Sequence, residues 1–238
     1  MRPFEESSPP PPARSAPVVL RMTDVHHGYG DRTVLAGASM TLRAGTCLVI
    51  RGDNGSGKST LLRLAAGRER PRAGAVTLDG RPADEDDPRQ RAAVAAVLED
   101  DAHHPDLSVR EHLLLVALAH GLADTAEGVV DGALTEHRLT EQADLPPDHL
   151  SSGQRRLLAL AASVVRPHRL LILDEPEAGL DRRARRRLAD RLRAARARGV
   201  ALLVACHDDR LARAVADTVL RVTPAGRLVP DPPGEEER

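Results

Sequence analysis

Residues 51–60 read RGDNGSGKST. Gly52, Gly57, Lys58 and Ser59 stand at the spacing G-x-x-x-x-G-K-[ST], after the apolar run CLVIR and before the helical pattern STLLRLAAG. Strand, glycine-rich turn and helix in that order bring free backbone N–H groups and the positive end of a helix to one point, which makes a cradle for phosphate. Lys58 is the only lysine in the chain, and the other 33 of the 34 basic residues are arginine. A compact ammonium on a thin stem reaches between β- and γ-phosphate oxygens inside a tight loop, where the planar fork of arginine does not fit. Asp53, Asn54, Gly55, Ser56, Gly57, Lys58, Ser59 and Thr60 are the expected nucleotide contacts, with the Ser59 hydroxyl directed at Mg²⁺.

Such a loop needs acids to hold the metal and position water. LLILDEP (170–176) supplies them: a buried strand ending in Asp174 and Glu175, at the end where parallel sheets bind ligands. Asp174 is expected in the Mg²⁺ shell and Glu175 as base toward the attacking water.

The chain has 238 residues, 41% hydrophobic and 29% charged, enough for one large or two small domains. Aromatic content is 1%, Phe4 and Tyr29, so the core must be built from Leu, Val, Ala and Ile, which suits strands covered by helices on both faces. A net charge of −1 provides no field for nucleic acid, which is not an expected partner. Cys47 and Cys206 lie in apolar runs and read as buried thiols. The start MRPFEESSPPPPARSAP has no signal-peptide core, and runs such as LLLVALA fall far short of the ~20 apolar residues of a membrane helix.

Apolar runs at 18–22, 46–51, 170–173, 200–205 and 218–222 read as strands, three of them followed by helical patterns at 58–66, 182–198 and 209–216. That alternation predicts an α/β fold with parallel strands. Residues 105–165 read as helices only, an insertion in that core. Residues 1–17 and 230–238 are Pro-rich or charged and read as tails. The Arg-rich stretch 182–199 reads as a solvated helix face. His103 and His104 lack the flanking ligands of a metal site and read as surface or partner contact.

With these pieces in order the chain resembles the nucleotide-binding domain of the ABC (ATP-binding cassette) ATPases. LSSGQ (150–154) is similar to the family's signature loop, and AGLD (178–181) to its D-loop. His207 in ACHDD is similar to the switch histidine that contacts the γ-phosphate, and Tyr29 in GYG to the aromatic that stacks on adenine. In the residues themselves, Ser151 or Ser152 can cap a helix beginning near Gly153, and Tyr29 offers a π-face. The resemblance covers about 18–229. It implies a P-loop NTPase core of mainly parallel sheet flanked by helices, an N-terminal antiparallel β part and a helical subdomain at about 103–165. It also implies ATP and Mg²⁺ as cofactors. Because the family uses Ser151, Ser152, Gly153 and Gln154 in trans, it implies a homodimer or a heterodimer with a second such domain.

Two positions depart from the family. Glu99 stands where a glutamine usually meets Mg²⁺ and the water site, which implies slower hydrolysis or a more tightly held metal. Ser152 replaces the signature's usual first glycine, adding a Cβ and a hydroxyl. The function implied is the ATP-hydrolysing subunit of a membrane transporter, cytoplasmic and peripheral on the inner face of the membrane through separately encoded integral subunits. A soluble ABC ATPase, or an ATP-binding module with weak turnover, are the alternatives. Cargo and direction are not legible; the short C-terminus inclines the reading toward export.

Overall fold

The computed structural model describes residues 16–98, 104 and 106–231. Glu99, His103 and nearly all of both expected tails lie outside the described residues. In chain order, β1 (Val18–Tyr29), β2 (Arg32–Arg43) and β3 (Cys47–Arg51) lead to α1 (Lys58–Ala65). There follow β4 (Ala73–Leu78), β5 (Arg81–Pro82), α2 (Pro88–Ala93) and β6 (Val94–Val97). Three helices come next, α3 (Val109–Ala119), α4 (Ala126–His137) and α5 (Ser152–Val164). Then come β7 (Leu170–Asp174), α6 (Arg182–Ala197), β8 (Ala201–Ala205), α7 (Asp209–Val215), β9 (Thr218–Val222) and β10 (Leu228–Pro230).

Two sheets form. The first is antiparallel, in the order β2-β1-β4-β5; the second runs β10-β9-β3-β8-β7-β6 and is parallel except at β10. Every residue of β7 and β8 is buried, as expected of strands covered on both faces. The period of two in β3 sorts its side chains between two cores. Leu48 and Ile50 pack with Leu61, Leu62 and Leu64 of α1 against Leu20 and Met22 of the antiparallel sheet. Cys47 and Val49 face the opposite way, toward Leu188 and Leu192 of α6 and Leu211 and Val215 of α7. A third core joins α3, α4 and α5 around Leu113, Val130, Leu134 and Leu158. Both cysteines are buried and unpaired, and burial pushes each thiol up to about 12.

The sheet is broader than the apolar runs alone suggest. β1 continues to Tyr29, and β2 and β4 carry mixed small and polar residues, because a sheet curved by register shifts buries only part of each strand. Nor is α6 a merely solvated face. Arg185 pairs with Asp208 at 3.0 Å, Arg191 with Glu136 at 3.1 Å and Arg196 with Asp217 at 3.0 Å, so its arginines tie it to neighbouring elements.

One register positions the site. Ile50 and Asp174 both lie beside Ala205, so the C-terminal ends of β3, β8 and β7 are adjacent, and the loops starting at Gly52, Cys206 and Glu175 leave the sheet side by side.

Candidate functional site

The loop after β3 enters α1 through Gly57, whose φ of 107° suits glycine. A Cβ at Gly57 would lie 2.6 Å from Val34 Cγ1, and one at Gly52 would lie 2.6 Å from Ser56 Oγ. Helices α2, α3, α5, α6 and α7 are capped by the side chains of Asp87, Ser108, Ser151, Asp181 and Asp208, whereas α1, like α4, has no side-chain cap. Its first N–H groups are left for an anion. Lys58, 5% exposed, donates from Nζ to the carbonyls of Gly52 at 3.0 Å and Asp53 at 3.2 Å. Asp53, Asn54 and Gly55 form the exposed tip, and Ser56 is half-buried.

Asp174 ends β7 with 1% exposure, and neither carboxylate oxygen has a hydrogen-bond partner. Burial raises its pKa; the nearby Ser59 hydroxyl pulls it back without reaching hydrogen-bond geometry. An orphaned buried carboxylate beside a hydroxyl suits a small hard cation that takes its remaining oxygens from phosphate and water. Among the described residues no group of three or more His, Cys, Asp or Glu forms a denser metal site.

Glu175 adopts a left-handed backbone at φ 45°, an unfavourable conformation for a residue with a Cβ and one that collects at functional sites. Its N–H donates to the Ala205 carbonyl at 2.8 Å, which fixes the turn. Its Oε1 lies 2.9 Å from His207 Nε2 and 4.0 Å from Lys58 Nζ. Lys58, Asp174, Glu175 and His207 thus meet at one point, with Ser59 beside Asp174. Tyr29 stands on the α1 side of the site, half-exposed, donating to Glu69 Oε2 at 2.8 Å and lying 3.5 Å from Thr60 Oγ1.

Among the described residues no hydrogen bond joins the LSSGQ group to the phosphate loop. Ser151 caps α5 in a reciprocal box: the Gln154 N–H donates to Ser151 Oγ at 3.2 Å, and the Ser151 N–H to Gln154 Oε1 at 2.8 Å. Ser151 and Ser152 are exposed. Gly153 touches the 178–181 turn so closely that a Cβ would lie 2.7 Å from the Gly179 carbonyl oxygen.

Residues 35–178 match the family model described as ABC transporter. The Nod factor export ATP-binding protein I of Burkholderia lata is 37% identical over 193 residues, which are 81% of this chain but only 63% of that protein. Its namesake from Ralstonia nicotianae is 33% identical over 228 residues, 95% of this chain and 71% of that one. The chain belongs to the ABC transporter family. The structure of an ATP-binding subunit of an ABC transporter matches this ABC cassette with a TM-score of 0.81 at 28% identity, over 88% of each chain. A dimeric bacterial ABC transporter cassette matches with a TM-score of 0.80 over 88% of this chain and 96% of that one; at 20% identity this speaks to the fold.

Three residues of this ABC cassette escaped the sequence reading. Glu177, 6% exposed, accepts the His207 N–H at 2.8 Å and the Asp208 N–H at 3.3 Å, holding the histidine loop in place. Glu69 anchors the Tyr29 hydroxyl, and Arg156 of α5 donates to the Asp174 carbonyl at 3.4 Å. Only Glu177 has a local signal, its place two residues beyond the acid pair; the other two need the tertiary fold.

Proposed function

We propose that this chain is the ATP-binding and hydrolysing subunit of a membrane transporter. The observation that carries this is the meeting of Lys58, Asp174, Glu175 and His207 at adjacent strand ends, with the helix N-terminus of α1 left uncapped. ATP lies along residues 53–60 with adenine against Tyr29, and Lys58 exchanges its loop carbonyls for β- and γ-phosphate oxygens. Ser59 and Asp174 would hold Mg²⁺, with Glu99 as a further expected ligand; the ion supplies charge neutralisation at the phosphates. Glu175 accepts the proton of the attacking water, and His207, at hydrogen-bond distance, orients that carboxylate and faces the γ-phosphate.

Because Ser151 and Ser152 are exposed, Gly153 and Gln154 are half-buried, and no hydrogen bond among the described residues joins them to the phosphate loop, a second cassette would bring them to the nucleotide, in a homodimer or a heterodimer. Closure and reopening would drive integral membrane subunits, placing the chain on the inner face of the membrane. Among the described residues no helix is long and apolar enough to cross a membrane. Both named relatives are export proteins, which favours export.

The test is Mg²⁺-dependent ATP turnover of the chain beside Glu175→Gln, with light scattering to follow mass. Turnover in the parent, with its loss and an ATP-dependent dimer in the variant, is the expected result. Equal turnover in both would remove Glu175 from the base role.

A further inference from the structure

The Tyr29 hydroxyl donates to both oxygens of Glu69, at 2.9 Å to Oε1 and 2.8 Å to Oε2. His27 Nε2 lies 3.1 Å from Oε2 of the same carboxylate, and its ring stands edge-on to Tyr29, with centroids 5.2 Å apart and planes at 85°. His27 and Tyr29, two residues apart on β1, share a face of the strand. Glu69 approaches from just beyond α1, where the backbone leaves it little freedom. Gly67 ends that helix at φ 75°; its N–H donates to the Leu64 carbonyl at 3.1 Å, and the Arg68 N–H to the Arg63 carbonyl at 3.0 Å. A Cβ at Gly67 would lie 2.7 Å from the Asp84 backbone nitrogen, so the turn that presents Glu69 requires glycine.

An aromatic face accepts any base, because every base has a π-face, so Tyr29 by itself does not separate adenine from guanine. Selection needs a polar group at the edge of the stacked base. The Thr60 hydroxyl, 3.5 Å from the Tyr29 hydroxyl, is buried and both donates and accepts, so it does not discriminate. Glu69 is different. A carboxylate only accepts, and its two oxygens offer about four lone-pair sites, more than Tyr29 and His27 use. At position 6 adenine presents an amine, a donor, whereas guanine presents a carbonyl, an acceptor.

We propose that Glu69 is the residue that selects the base, accepting a hydrogen bond from the 6-amino group of adenine and repelling the 6-oxo group of guanine. The inference rests on the stacking of the base on Tyr29 in the proposed function. The phenol hydroxyl then has two tasks: it belongs to the ring that carries the base, and it holds the carboxylate at that ring's edge. The Glu69 side chain is 24% exposed, so water reaches a mismatched edge and softens the penalty. The preference for adenine is therefore about tenfold, not the many thousandfold of a sealed pocket.

The test is displacement of a ribose-labelled fluorescent ATP analogue from the full chain by ATP, GTP and ITP, whose base is guanine without the 2-amino group. The parent is compared with Glu69→Gln and Glu69→Ala, and matching urea transitions confirm that each variant is folded. The expected result in the parent is ATP binding about tenfold tighter than GTP and ITP alike. Glu69→Gln keeps an oxygen for the Tyr29 hydroxyl but turns an amide donor toward the base, so the three constants converge or reverse in order. Glu69→Ala removes the preference. Equal binding of all three nucleotides by the parent overturns the proposal and leaves ATP binding standing. An equal loss for all three in Glu69→Gln also overturns it, leaving Glu69 only the task of holding Tyr29. Discrimination against GTP but not ITP overturns it in favour of a clash with the 2-amino group. A parent chain that does not bind the fluorescent analogue overturns the nucleotide reading itself, and the base selection with it.

Discussion

At the scale of the residue, the chemistry depends on shape as much as charge. The lone lysine among so many arginines is buried at 5% exposure in a loop whose own carbonyls hold its ammonium. Lys58→Arg keeps the charge but brings a rigid fork into space fitted to a point donor. Turnover should fall by on the order of a hundredfold with the unfolding transition little changed, since in the proposed function the loss is of a donor to the phosphates. Steady-state ATPase assay beside a urea titration checks both halves, and retention of parental turnover would mean that a guanidinium serves equally well. Asp174, Glu175 and Lys58 were legible from spacing because each belongs to a contiguous motif. Glu177 was not: its role depends on lying under the 206–208 loop, thirty residues away in sequence.

At the scale of the element, α5 and the 178–181 turn behave as one piece. Gly153 meets the Gly179 carbonyl so closely that an added methyl at 2.7 Å displaces one of two backbones. Gly153→Ala should therefore lower both turnover and ATP-dependent dimerisation while binding of ATP to the isolated chain persists. Light scattering with a fluorescent nucleotide separates these effects. The acid sensitivity of α4 also has a local cause. His137, 1% exposed, is held neutral: burial and then Arg191 lower its pKa to about 4, against a bond to the Ala133 carbonyl at 2.9 Å. Its folded value lies below the unfolded one, so its contribution is complete above about pH 6.5 and is lost as pH falls toward 4. The loss is on the order of 3 kcal/mol. Urea unfolding across that window should show a shallower pH dependence in His137→Leu than in the parent; identical slopes would assign the acid sensitivity elsewhere.

At the scale of the whole molecule, the site is a product of strand order. β3, β8 and β7 lie side by side, although α1, β4, β5, α2, β6 and the whole helical insertion separate the first from the third in sequence. Ligand bound across their ends should stabilise the whole core. MgATP at about a hundred times its dissociation constant should raise stability by roughly 2.7 kcal/mol, read as a higher melting temperature. Chelating the metal should remove part of that gain, because the orphaned Asp174 carboxylate then faces phosphate without a cation between them. An unchanged shift after chelation would deny Asp174 its place as a ligand.

The sequence by itself determined the phosphate loop, the acid pair, the capped start of α5 and the alternation that makes the core α/β, because each is written in contiguous spacing and local backbone preference. Only the tertiary structure decided that Glu175 meets His207 at 2.9 Å, that Glu177 braces the histidine loop, and that β1 and β2 run twelve residues each. The reason is physical. Parallel strands pair through long crossovers, and which strand lies beside which is set by how helices cover the two faces of the sheet, a property of the packed whole that no short stretch of the chain encodes.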